Sequence, residues 1–278
     1  MAEKLLLNGY HCNSDLFQDR AFHYGDGVFE TIAVLDGVPC LWDYHLSRLT
    51  MGCEILGLDK FDSKALLDEA LELIKGQSKA VLKIVLSSGD GDIGYSRPPN
   101  IRTNRYLKRY PWPEQDIYNN QEDLRTQICS LRLSRQPALA GIKHLNRLEQ
   151  VLARRELKDG INEGLMCDTE GLIIEGTCSN IFIEKNKKFY TPRLSDCGVA
   201  GVVRQYFIDF LNKNNFDLSI CDIDVKQIFD SDSLFLTNSL LGIRKIKSIN
   251  EHICKLSPES KHLIREAQKN CFTLTGCF

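Results

Sequence analysis

The stretch Pro111-Trp112-Pro113 and its polar sequel constrain this chain more than any other feature. Two prolines so close together fix φ and remove backbone donors, so neither a helix nor a central strand can run through them. The chain is therefore expected to divide there, into a smaller α+β domain over residues 1–113, a linker over 114–119 and a larger α/β domain over 120–278. With 278 residues and 43% hydrophobic content, each part can bury a core of its own.

Ahead of the break, Leu5 to Leu7 reads as a short strand before an Asn8-Gly9 turn, and Val28 to Leu35 as a strand closed in hairpin fashion by Asp36-Gly37. A helix capped by Asp43 carries Leu46, Leu49, Ile55 and Leu56 at helical spacing until Gly57. A second runs from Ser63 to Ile74. Both would cover one face of a sheet completed by Ala80 to Leu86 and Tyr106 to Tyr110. Beyond the break the pattern gives a strand over Gln127 to Ser134, a helix over Leu145 to Lys158 and a pair of hairpins over Gly164 to Phe189. A helix over Val202 to Leu211, strands near Leu218 and Leu234, and a closing helix over Glu259 to Lys269 follow.

Charge narrows the partners. Thirty-five basic and 37 acidic residues leave a net charge of -2, so no global field exists to hold nucleic acid or an acidic membrane. The 11 cysteines form no C-x-x-C pair and are odd in number, which fits reduced thiols rather than a zinc ribbon or a disulfide framework. The amino terminus has only a three-leucine apolar run, and no later stretch nears the length of a membrane span, so a cytoplasmic location is expected. His23, His45 and His144 do not fall at a metal-binding spacing; no metal is expected, and His144 reads as structural.

Gly89-Asp90-Gly91-Asp92-Ile93-Gly94 matches G-x-G-x-x-G after an apolar strand. A dinucleotide site needs a helix N-terminus next, and Tyr95-Ser96-Arg97-Pro98-Pro99 prevents one. The segment is read instead as a glycine-rich loop shaping a pocket mouth.

Four landmarks occur in order. They are Asp19-Arg20-Ala21-Phe22-His23-Tyr24-Gly25-Asp26-Gly27-Val28-Phe29-Glu30-Thr31, then His45-Leu46-Ser47-Arg48-Leu49, then Gly141-Ile142-Lys143-His144-Leu145-Asn146-Arg147, then Glu175-Gly176-Thr177-Cys178-Ser179-Asn180-Ile181-Phe182. Together with Gly198 to Gln205 and Thr237-Asn238-Ser239-Leu240-Leu241, they resemble the fold-type-IV pyridoxal-phosphate enzymes, class IV aminotransferases, over nearly the whole chain. The resemblance implies a two-domain α+β fold of the D-amino-acid-aminotransferase type, with pyridoxal 5'-phosphate at the domain interface, and a homodimer.

It also implies roles. Lys143 would hold the cofactor covalently and shuttle a proton, for which its amine must be neutral. Glu175 would face the pyridine nitrogen. Arg48, the amides of Val202 and Val203 at a helix start, and Ser239 would hold the phosphate. Taken alone, Glu175 reads as a solvated hairpin residue, Arg48 as a solvated arginine on an amphipathic helix, and the two valines as core.

Within the class, the run from Gly141 to Arg154 resembles the lysine segment of aminodeoxychorismate lyases, and Gly94-Tyr95-Ser96 fits their glycine-rich loop. That implies conversion of 4-amino-4-deoxychorismate to 4-aminobenzoate and pyruvate. Transamination of D-amino acids or branched-chain amino acids is the alternative within the fold. The lyases often show R-G-x-G-x-R-G-Y where this chain has Ser88-Gly89-Asp90-Gly91-Asp92-Ile93-Gly94-Tyr95. Lacking both arginines, it must find other cations for two substrate carboxylates, among Arg97, Arg102, Arg105, Arg147 and Arg244. Phe29 and Tyr95 are read as lining the pocket or packing the domain interface. Leu240 and Leu241 are placed at the substrate.

Overall fold

The computed structural model describes residues 5–7, 10–12, 17–91, 93–115, 123–254 and 258–273. The Asn8-Gly9 turn and most of the expected linker, 116–119, lie outside these residues. A hairpin of β1 (Leu5–Leu7) and β2 (Tyr10–Cys12) precedes a short helix, α1 (Arg20–Tyr24).

The first sheet is antiparallel throughout. It comprises β3 (Gly27–Leu35), β4 (Val38–Pro39), β5 (Lys79–Ser87) and β6 (Asn104–Pro111), in the order β4-β3-β5-β6. Asp36 and Gly37 turn the β3–β4 hairpin with φ of 52° and 78°, the left-handed pair that matches the twist of the flanking strands. Helices α2 (Trp42–Leu56) and α3 (Ser63–Ile74) cover one face, and Ile32, Leu49, Leu66, Ile74, Leu82 and Ile84 form its core. Asp43 does not cap α2. Leu41 holds that position at φ 52° with no side-chain cap, and Asp43 sits in the first turn, where its charge meets the helix dipole. Pro111 ends the edge strand β6 opposite Ala80, a place where a missing N–H is tolerated, so the sheet reaches the proline pair.

The second sheet is mixed. Its strands are β7 (Leu124–Leu133), β8 (Glu163–Asp168), β9 (Ile173–Gly176), β10 (Asn180–Lys185), β11 (Lys188–Pro192), β12 (Leu218–Cys221), β13 (Ser233–Asn238), β14 (Gly242–Ile249) and β15 (His252–Ile253). They run in the order β12-β11-β10-β13-β14-β7-β8-β9, with β15 on β14. Helices α4 (Leu148–Arg155), α5 (Val202–Lys213), α6 (Val225–Phe229) and α7 (Pro258–Thr273) complete this half. On one side Phe182, Phe189 and Phe235 pack with Phe207 of α5 and Leu263 and Ala267 of α7; on the other Leu165, Ile181, Leu234 and Ile246 form a separate cluster.

Helix α4 and strand β14 differ from expectation for physical reasons. Helix α4 spans 148–155 rather than 145–158, because Phe29 N donates to Lys143 O (2.9 Å) and Leu145 N to Gly27 O (3.0 Å). Those bonds hold the chain extended against β3 where the helix would have begun. Strand β14 was not anticipated: Ile243, Ile246 and Ile249 recur every third residue, and a register shift between Ile246 and Ser248 explains the lost alternation. Among the described residues no helix is long and apolar enough to cross a membrane.

Candidate active site

A cavity of about 310 Å³ lies where the two sheets meet, and its walls include Phe29, Arg48, Lys143, Arg147, Glu175 and Ser239. Residues from β3 and α2 thus face residues from β9, β13 and the first turns of α4 and α5.

Lys143 is carried on a segment pinned from two directions. Gly141 exchanges hydrogen bonds with the 198–200 loop, Gly141 N to Gly198 O and Ala200 N to Gly141 O, both 2.9 Å, while the bonds to β3 fix the other side. The amine is 4.4 Å from the centre of the Phe29 ring. Burial, followed by the charge of Arg48, pushes its pKa from 10.5 down to about 8, against the pull of Glu30. Roughly a tenth of the amine is therefore neutral at pH 7, where an ordinary lysine has well under about a hundredth.

Glu175, on β9, is only 3% exposed. Its Oε2 accepts from Val199 N (2.8 Å) and its Oε1 from Gln150 Nε2 (3.4 Å). Burial raises its pKa, opposed by the Val199 bond and then by the charges of Arg147 and Lys143. A cationic ring nitrogen in the cavity would supply the counter-charge that burial denies it. Gly198 makes the close approach possible: at φ 86°, a Cβ there would come within 2.7 Å of Ile174 Cγ2.

The anion-binding end is built from three elements. Helix α5 begins at Gly201 with no side-chain cap, leaving the amides of Val202 and Val203 without intrahelical acceptors. A Cβ at Gly201 would run into Asn180 Oδ1, so only glycine lets the helix start this close to β10. From α2, Arg48 donates through Nε to Glu30 Oε1 (2.8 Å), through Nη2 to Glu30 Oε2 (2.5 Å) and through Nη1 to Ala200 O (3.0 Å). Two of its five N–H groups remain for a ligand. On β13, Thr237 Oγ1 is buried without a partner, beside Ser239, whose hydroxyl donates to Thr31 O (2.7 Å).

The expected residues do not all meet here. Lys143, Glu175, Arg48, Val202, Val203, Ser239, Phe29 and Arg147 line the cavity; Tyr95, Arg97, Leu240 and Leu241 do not. Arg97 gives both its Nε (3.0 Å) and Nη2 (2.5 Å) to Asp26, which also accepts from Arg20 Nε (2.9 Å), and its Nη1 to the carbonyls of Leu56 and Gly57, so its donors are taken up outside the cavity. Tyr95 is 88% exposed, in the 93–97 segment, whose carbonyls Arg20 clasps. The glycine loop therefore borders a different hollow, formed with Arg20, Asp26 and His144. The amides of Leu240 and Leu241 are taken up by Asn238 Oδ1, and Leu241 is packed in the second sheet's core. Arg105 pairs with Glu69 instead of facing the cavity.

Three participants carried no role in the sequence reading: Glu30, His45 and Thr237. Glu30 is 1% exposed and accepts from His45 Nδ1 (2.6 Å) as well as from Arg48. The three-residue spacing of His45 and Arg48 on α2, one helical face, was the available signal. For Thr237 it was the two-residue spacing from Ser239 at the end of a strand.

The amino-transferase class IV family model matches residues 27–249. The chain is 32% identical to the aminodeoxychorismate lyase of Vibrio harveyi, over 92% of its own length and 94% of that protein's. Among solved structures it superposes on the 4-amino-4-deoxychorismate lyase from Pseudomonas aeruginosa with a TM-score of 0.85 and 36% identity, covering 91% of this chain and 94% of that one. The branched-chain aminotransferase of Thermoproteus uzoniensis, 20% identical, shares the fold at a TM-score of 0.84, covering 97% of this chain and 95% of that one.

Proposed function

Because this chain belongs to the amino-transferase class IV family, we propose that it is a pyridoxal-phosphate-dependent lyase converting 4-amino-4-deoxychorismate to 4-aminobenzoate and pyruvate. One observation carries the reading: the Lys143 amine, its pKa brought down to about 8, shares a cavity with the buried carboxyl group of Glu175 and a set of unsatisfied anion donors.

The residues fit this cofactor. Thr237 Oγ1 is an orphaned donor at the cavity wall, the uncapped start of α5 offers two amides, and Arg48 retains two N–H groups for a phosphate. When bound, pyridoxal phosphate supplies a protonated ring that takes up the electron pair left at the carbon bearing the substrate nitrogen. Lys143 would hold the cofactor through Nζ and would accept the C4 proton of the substrate. As the C3–O bond breaks, the enolpyruvyl group leaves with the bonding pair and is protonated to pyruvate, and the remaining ring becomes aromatic. Glu175 keeps the ring nitrogen protonated, Phe29 packs beside the reacting amine, and Arg147 is the cavity cation left for the substrate.

The deciding experiment supplies 4-amino-4-deoxychorismate and, separately, D- and L-amino acids with 2-oxoglutarate. Production of 4-aminobenzoate with pyruvate is expected. Keto-acid exchange without aromatic product would instead establish an aminotransferase.

The reading extends to assembly and setting. The division into domains 1–113 and 120–278 follows the separation of the two sheets. A homodimer is supported by the outward face of α4, where Leu148 is 75% exposed and Leu152 lies beside it, next to the cavity. The cysteines whose side chains are described are all free thiols, which supports a reducing, cytoplasmic setting.

A further inference from the structure

Three arginines line the cavity, and two are neutralised: Arg48 by Glu30 and Arg154 by Glu163. Arg147, at the N-cap of α4, is different. Its guanidinium is partly buried, and among the described residues no carboxylate lies within ion-pair distance; Glu175 and Glu149 act on it only through space. A cation withdrawn from water without a counter-ion is costly unless the site's occupant supplies one.

What orients Arg147 is His144. The guanidinium donates through Nε to His144 O (3.0 Å) and through Nη2 to His144 Nε2 (2.5 Å). A guanidinium can only donate, so Nε2 must be the acceptor, the imidazole is neutral, and its proton sits on Nδ1, which is buried without a partner. Burial, Arg147 and Lys143 together push the His144 pKa down to about 4, in agreement with a neutral ring. The backbone on either side of His144 is bonded to β3, so the ring starts from a fixed point. A carboxylate at 144 would orient Arg147 equally well but would cancel its charge. A neutral acceptor orients it and leaves the charge for a ligand.

We propose that His144 is a positioning residue that holds Arg147 as the cavity's anchor for an anionic oxygen of its occupant. This rests on the reading of the cavity given above. Two sources share that chemistry: a substrate carboxylate and the ring oxygen of the cofactor.

The test uses the cofactor-loaded enzyme and four variants, Arg147→Gln, Arg147→Lys, His144→Leu and His144→Gln, the last placing Oε1 near the position of Nε2. Two quantities are read: the inhibition constant of chorismate, which carries the carboxylates but a hydroxyl in place of the reactive amine, and the pH midpoint of the visible cofactor band. Arg147→Gln and His144→Leu are expected to change the same quantity by tenfold or one pH unit, and His144→Gln to return to within about threefold of wild type. A weaker grip on chorismate with an unmoved band identifies the carboxylate; a moved band with unchanged chorismate binding identifies the ring oxygen. The proposal is overturned if Arg147→Gln changes neither, or if His144→Leu matches wild type while Arg147→Gln does not. Should His144→Leu fail to fold by circular dichroism, Arg147→Lys and His144→Gln decide: wild-type values for both quantities in Arg147→Lys, or an Arg147→Gln-like defect in His144→Gln, overturn it. Failure of the wild type to form 4-aminobenzoate would sink the lyase reading alone, since the band titration still reports on Arg147.

Discussion

Burial acts in opposite senses on the two ionisable groups that face each other's chemistry, lowering the pKa of Lys143 and raising that of Glu175. Both shifts favour the neutral forms, and a protonated ring nitrogen beside Glu175 would restore its charge. Lys143→Ala should therefore abolish the visible band on incubation with pyridoxal phosphate and lower turnover by at least roughly 10²–10⁴-fold, the usual worth of a positioned acid–base group. Capture of the aldehyde by cofactor-free protein should rise with pH through a midpoint near 8 rather than 10.5, because only the neutral amine attacks; stopped-flow absorbance would follow it. Lys143 was legible from its neighbours in the chain. The burial of Glu175 was not, because a hairpin glutamate is solvated unless a distant segment covers it, and here the cover is the 198–200 loop.

Between elements, the main tie on the anion side is the Glu30 carboxylate on β3, bonded to His45 and Arg48 on α2. Glu30→Gln should cost about 3–5 kcal/mol of unfolding free energy in urea titration, since it strands a buried guanidinium. The pH sign follows from a Glu30 pKa lowered from 4.5 to about 2 by Arg48 and His45 in spite of its burial. Its contribution is complete above about pH 4.5 and disappears as pH falls towards 2. Acid titration of wild type should show that loss, and the Gln variant should lack it. At the start of α5, Gly201→Ala should displace Asn180 and the first turn, weakening pyridoxal-phosphate binding by roughly tenfold or more, the equivalent of about 1–3 kcal/mol of overpacking. Equilibrium dialysis would measure it. Helical spacing made α3 readable in full and α2 readable but for its cap; the start of α4 was not, because cross-sheet hydrogen bonds overrode local propensity.

At the scale of the molecule, Leu148 and Leu152 present apolar surface beside the cavity mouth, and Leu148→Glu with Leu152→Glu should shift the proposed dimer to monomers in sedimentation velocity. If the pair of glutamates leaves the sedimentation coefficient at the dimer value, that face is not the interface. By itself the sequence determined the uncapped helix start after Gly201 and the end of β6 at Pro111, because each is a local consequence of residue type: a glycine without a capping side chain, a missing N–H. Only the tertiary structure decided which cations face the cavity. Five arginines were equivalent on paper. Asp26 holds Arg97 across 71 residues while also accepting from Arg20, Glu69 pairs with Arg105 across 36, and Arg147 is left with a neutral imidazole. Long-range pairing of charges is set by how the sheets meet, and no local pattern in the chain records it.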